Sequence, residues 1–304
     1  MTPSLSFRII RKIFRITGMR QMLAMSPEEY VKKAEKVNSK RKFRMPTDKK
    51  NTYIRHAVGG FPLLEIHPEH KNHDRALLLI YGGGMTTAPD GGDLGFAVKM
   101  GKNTGRDVFF PYYPLCPEHS VAELTEMVLR CYRGMLKKYA PENIAIFGFS
   151  SGGATAISTC LMINAKKLSV PMPGKLVAVS PGSVPDREEI RQAMLAIDER
   201  DFVCPASYMM NVDAFMKGPE GSDVPQYLLS PYTGDFTNFP ETWLYYGGDE
   251  VLSAVAPYYE DAFKRYGVKY HLTVEPYMCH CYADFRFTPE CRKANDEILG
   301  ILKE

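Results

Sequence analysis

From about residue 52 onward, apolar runs of strand length alternate with segments of helical length. The pattern predicts strands over residues 52–58, 62–67, 75–81, 107–112, 143–147, 175–180, 242–246 and 271–275. Between them it predicts helices over 93–102, 118–138, 151–165, 187–197, 254–266 and 289–302. Strand–helix alternation of this kind implies an α/β fold, with a mainly parallel sheet of about eight strands covered by helices on both faces. The first two runs are separated by Gly59-Gly60 and are expected to form an antiparallel hairpin at one edge.

Two stretches depart from the alternation. Residues 7–24 place Phe7, Ile10, Ile13, Phe14 and Thr17 on one helical face and Arg8, Arg11, Lys12 and Arg15 on the other. This basic amphipathic helix is expected to pack over the main domain rather than lie on an anionic membrane. Ser26-Pro27-Glu28-Glu29 has the N-cap, first-turn proline and early acids of a second helix, and the Lys/Arg-rich residues 40–50 read as a solvated linker. The other stretch, about 181–240, holds helical fragments but no convincing strand, is rich in Met and aromatics, and is expected to form a lid. The domain reading is therefore a helical segment over 1–50 and a main domain over 51–304, with a cap insertion at about 181–240.

Charge sharpens this division. The net charge of +3 over 304 residues is too small to argue for nucleic acid. Residues 1–50 hold 14 Lys/Arg against 4 Asp/Glu, a net of +10, and the remainder holds 24 against 31, a net of −7. No apolar run is long enough for a membrane span, and the charged start is not a secretory signal. The seven cysteines are odd in number and lack a CxxC, which suggests reduced thiols in a cytoplasmic protein. Cys279-His280-Cys281 has no second ligand cluster, so no structural zinc site is expected.

The chemistry sits at the ends of the apolar runs. Gly148-Phe149-Ser150-Ser151-Gly152-Gly153 follows Ile144-Ala145-Ile146-Phe147 and precedes a helical segment. Strand, tight turn, then helix is the context a nucleophile elbow requires, with Ser150 projected above the sheet edge. Ser151 is out of register for the nucleophile, but its N–H is placed to donate to an oxyanion. Tyr81-Gly82-Gly83-Gly84 follows another buried run and can turn N–H groups into a site. Of seven histidines only His271 and His280 lie late in the chain; His271 opens a strand, whereas His280 follows one. Asp249, in Gly247-Gly248-Asp249-Glu250 after another strand, is the chosen carboxylate, with Glu250 the near competitor.

These segments resemble the hormone-sensitive-lipase-like α/β-hydrolases, the bacterial acetyl and short-chain esterases. Tyr81-Gly82-Gly83-Gly84 resembles the group's HGGG, Tyr113-Pro114-Leu115-Cys116-Pro117-Glu118-His119 its YRLAPEH, and Gly148 to Gly153 its GDSAGG. Leu229-Ser230-Pro231-Tyr232, Asp249-Glu250-Val251-Leu252 and Pro276-Tyr277-Met278-Cys279-His280 resemble later segments in the same order. The resemblance implies Ser150 as nucleophile, His280 as base, Asp249 as orienting acid, and N–H groups of Gly83, Gly84 and Ser151 as an oxyanion hole. It implies a short-chain ester substrate, no cofactor and no metal, and it favours packing over membrane contact for residues 7–24. Tyr81 stands where the group has His, and Phe149 where it has Asp. An amidase or lipase on the same triad and a non-catalytic ligand-binding homologue are the alternatives, and a homodimer is left open.

Overall fold

The computed structural model describes residues 2–16, 18–69, 73–219 and 222–304. Thr17 and His70 lie outside the described residues. Eight strands form one sheet: β1 Asn51–Val58, β2 Phe61–Pro68, β3 Ala76–Ile80, β4 Asp107–Pro111, β5 Ile144–Phe149, β6 Lys175–Val179, β7 Glu241–Gly247 and β8 Tyr270–Glu275. Their spatial order is β1-β2-β4-β3-β5-β6-β7-β8, and β2 alone runs opposite in direction to the other seven. All eight predicted runs become strands. Gly59 and Gly60 both adopt positive φ, so the β1–β2 connection is the tight hairpin that two such residues allow.

The central strands are apolar on both faces because both faces are covered. Every residue of β3 is buried. Helices α1 Leu5–Ile16, α2 Met19–Leu23 and α3 Pro27–Asn38 precede the sheet. They are followed by α4 Gly91–Thr104, α5 Val121–Met135, α6 Ser151–Ala165, α7 Glu188–Ile197 and α8 Ala206–Asn211. Then come α9 Asp213–Met216, α10 Gln226–Leu229, α11 Ala256–Tyr266 and α12 Pro289–Lys303. Helix α6 is buried from Ser151 to Ile163, wedged between the sheet and its neighbours α5 and α10.

The N-terminal segment differs from the expectation of one helix over 7–24. Gly18 takes a left-handed conformation and breaks it into α1 and α2, while Ser26 caps α3 through a capping box with Glu29. Helix α1 is pinned by Phe7 and Phe14, whose rings meet Phe202 at 6.4 and 6.0 Å. Burying one such ring stabilises by about 1.5–3 kcal/mol. Helix α3 is tied to the loop after β3: the Tyr30 hydroxyl lies 2.8 Å from Thr86 Oγ1, and Asn38 brackets Thr86 O and Ala88 N at 2.8 Å each. The described residues within 181–240 hold α7 to α10 and no strand.

At the opposite end of the sheet the buried Arg106 guanidinium donates to the carbonyls of Ala76, Asn143 and Leu302, fastening the end of α12 beneath β3 and β5. Burial lowers its pKa to about 10, so it remains cationic at neutral pH.

Candidate active site

Ser150 follows β5 and caps α6 with φ 55° and ψ −128°, a positive-φ conformation rare for a residue with a side chain. The turn closes because Gly148 and Gly152 have no Cβ. One built on Gly148 would lie 2.2 Å from the Gly152 carbonyl oxygen, and one on Gly152 would lie 2.2 Å from that of Ile80. The strain is held by Ser150 N donating to Val179 O at 2.8 Å. The side chain is thereby raised above the carboxyl ends of the strands.

His280, in the loop after β8, meets it: Nε2 lies 2.9 Å from Ser150 Oγ and Nδ1 lies 2.7 Å from Glu250 Oε2. An ionised carboxylate only accepts, so Nδ1 carries the proton and Nε2 accepts from the serine hydroxyl. The sequence-based choice of Asp249 for this contact is corrected by the structure. Glu250 is extended (φ −103°, ψ 141°), which turns it and Asp249 toward opposite sides. Asp249 points at the cationic N-terminal segment and α7 flank instead, 3.4 Å from Arg11 Nη1 and 3.5 Å from Arg200 Nη1. Glu250 reaches His280 from a fixed position. Its Oε1 accepts from Gly247 N at 2.9 Å and from Ser180 Oγ at 2.8 Å. Ser180 also accepts from Cys281 N at 2.9 Å, so one hydroxyl ties β6, Glu250 and the histidine loop together. Nothing in the sequence around Ser180 marks it; its part is visible only when β6 and β7 are side by side.

Burial opposes a charge on His280. The hydrogen bond to Glu250 and the nearby carboxylates of Glu250, Asp201 and Asp284 outweigh it and hold the imidazole above its ordinary 6.5. Asp201 accepts from Val203 N, Cys204 N and Val251 N, yet burial still raises it to about 6. Asp284 has both carboxyl oxygens buried without a hydrogen-bond partner, lines the same cavity, and is raised well above the usual carboxylate range by burial.

The glycine loop after β3 lies beside Ser150. Gly83 and Gly84 have φ of 105° and 63°, and a Cβ on Gly84 would lie 2.3 Å from the Tyr208 hydroxyl. No described residue accepts from the N–H of Gly83, Gly84 or Ser151. Tyr113 holds the loop: its hydroxyl donates to Tyr81 O at 2.9 Å and Gly82 O at 3.2 Å, and its ring stacks on Tyr81 at 4.2 Å. Met85 N donates to Ser151 Oγ at 3.2 Å, joining loop and elbow. Tyr81 orders the turn by stacking, and its buried hydroxyl is unpartnered. Phe149 packs edge-on against Phe96 at 5.8 Å and lines the cavity.

The cavity above Ser150 has a volume of about 740 Å³. Met19, Met22 and Tyr30 roof it from one side, and Tyr208, Met209 and Met216 from the other. At the far end of the sheet, His67, His73 and Asp107 bring donor atoms within 4.8 Å of one another. There His67 spans Glu65 and Asp107 at 2.8 and 2.9 Å, and His73 lies 2.7 Å from Asp107, so the group satisfies its own polar atoms without an ion. All seven cysteines are free and buried.

This strand order, with a strained serine at the elbow and a histidine on the last strand's loop, defines an α/β hydrolase. A family profile described as alpha/beta hydrolase fold matches residues 77–284, and the chain belongs to that family. It is similar to an acetyl-hydrolase of Streptomyces hygroscopicus, 24% identical over 238 residues that cover 75% of each chain. An esterase/lipase from an uncultured bacterium superposes with a TM-score of 0.79 at 19% identity, covering 99% of this chain and 98% of that one. An esterase of the bacterial hormone-sensitive lipase family does so with a TM-score of 0.77 at 22% identity, covering 100% and 99%. That is the group the sequence motifs resemble.

Proposed function

We propose that the protein hydrolyses carboxylic esters of short acyl chains through an acyl-enzyme on Ser150. The observation that carries this reading is the unbroken hydrogen-bonded chain Ser150–His280–Glu250 beside a glycine loop with free N–H groups. Ser150 Oγ attacks the ester carbonyl as its proton passes to His280 Nε2, and Glu250 stabilises the imidazolium. The oxyanion is received by N–H groups of Gly83, Gly84 and Ser151, each worth roughly 3–4 kcal/mol in comparable sites. His280 then protonates the leaving alcohol, and a water activated by the same imidazole releases the acid. Glu250 takes the part that sequence reasoning gave to Asp249. No step calls for a metal or organic cofactor.

We read residues 1–50 and 181–240 as one cap over this site, because both supply its roof. Short acyl chains are favoured by the relatives, which include the acetyl-hydrolase and an esterase whose crystals were soaked with p-nitrophenyl butyrate. The seven free thiols fit a reducing compartment, and we place the protein in the cytoplasm on that ground.

The test is an acyl-length series of nitrophenyl esters. Activity is expected to peak between acetate and hexanoate, and Ser150→Ala should lower it by at least about 10⁴-fold. Full activity in Ser150→Ala would remove the mechanism. Rates that climb toward long chains would make the protein a lipase, and faster cleavage of an anilide than of its matching ester would make it an amidase.

A further inference from the structure

Helix α1 carries apolar residues in two directions. Phe7 and Phe14 face inward onto Phe202. Leu5, Ile9, Ile13 and Ile16 face solvent, with exposures of 65, 51, 51 and 84%. At about 100° per residue, these four fall within an arc of roughly 80°. Arg8, Lys12 and Arg15 are exposed in the adjoining arc. A solvent-facing side of a helix ordinarily carries polar residues, so an apolar stripe edged by cations needs a partner that satisfies both.

Exposed apolar side chains are also found at the cavity. Met19 (42% exposed) and Phe287 (60% exposed) both line the space above Ser150. Phe285 packs between Phe14, on the inner face of α1, and Phe287, its ring 6.3 Å from the first and 5.5 Å from the second. The rim of the cavity is thus built against α1.

We infer that the outer face of α1 docks on an anionic lipid bilayer and sets the cavity mouth against it. Leucine and isoleucine enter the headgroup–acyl boundary while the adjoining cations meet lipid phosphates. The charge distribution supports this partner, since the first 50 residues carry +10 and the rest −7. A second copy of the chain fits less well, because a two-fold contact would set Arg8, Lys12 and Arg15 against their own images. No described helix is long and apolar enough to cross a membrane, so the contact is peripheral. That the mouth delivers a substrate rests on the ester-hydrolase reading; the docking itself does not.

The test is co-sedimentation of the full chain with phosphatidylcholine vesicles and with equimolar phosphatidylcholine–phosphatidylglycerol vesicles. Binding is expected to the second, weakening with added salt. Ile9→Ser/Ile16→Ser should weaken it about tenfold or more. Arg8→Gln/Lys12→Gln/Arg15→Gln should abolish the preference for phosphatidylglycerol. Hydrolysis of soluble nitrophenyl butyrate should be unchanged in both, which also reports an intact fold, and Ile16→Ser alone serves should the double variant misfold. Ser150→Ala should bind as wild type, separating docking from catalysis. Absence of a phosphatidylglycerol preference in wild type, or undiminished binding by the isoleucine variants, would overturn the proposal. So would light scattering that shows a dimer split by those variants with no vesicle uptake in wild type, since the stripe would then belong to a second copy.

Discussion

Asp249 and Glu250 are adjacent carboxylates with different neighbours. Glu250 meets His280 and is locked by Gly247 N and Ser180, whereas Asp249 meets Arg11 and Arg200. Glu250→Gln should therefore lower kcat by about 10³–10⁴-fold, while Asp249→Asn should cost less than about tenfold, measured on nitrophenyl butyrate. Equal losses would place both carboxylates in the mechanism. The raised pKa of His280 has its own signature. The imidazole must be neutral to accept the serine proton, so the acid limb of kcat/KM should have its midpoint above 6.5. Asp284 acts on stability. Its folded pKa is raised, so the unfolded chain ionises more readily, and the stability this group allows is full below the unfolded pKa and lost as pH rises through the folded one. Asp284→Leu should accordingly stabilise by roughly 1–3 kcal/mol near pH 8 and by much less near pH 4, as read by urea denaturation.

Among the elements, the glycine loop depends on a residue outside it. Tyr113 donates to two loop carbonyls and stacks on Tyr81. Tyr113→Phe keeps the stack and loses the hydrogen bonds. It should cost about 1 kcal/mol of stability but lower kcat by about tenfold with little change in KM, because a loosened loop weakens donors used mainly in the transition state. The strands were legible because buried parallel strands are written as uninterrupted apolar runs, as Leu77-Leu78-Leu79-Ile80 is. The elbow was legible because its glycines are required by backbone contact. The break between α1 and α2 was not, since the apolar period carries on through Gly18 and one glycine does not by itself end a helix. The choice between Asp249 and Glu250 was not legible either. It turns on one residue of register in a loop, set by contacts to β6 and the histidine loop rather than by any local pattern.

At the scale of the whole molecule, burial is uneven. Helix α6 and strand β3 are enclosed, whereas α1 buries only Phe7. Native-state hydrogen exchange should therefore be fastest in α1 and α2 and slowest in β3, β5 and α6, with a gap of several kcal/mol between them. Uniform exchange would mean that the N-terminal helices unfold only with the sheet. The clamp that Arg106 places on Leu302 has a practical consequence. It fixes the last turn of α12 under the amino ends of the parallel strands, on the side away from Ser150. A tether or fluorophore attached after Glu304 would leave the entrance clear and hold every molecule on a surface facing the same way. The same addition ahead of Leu5 would crowd the approach.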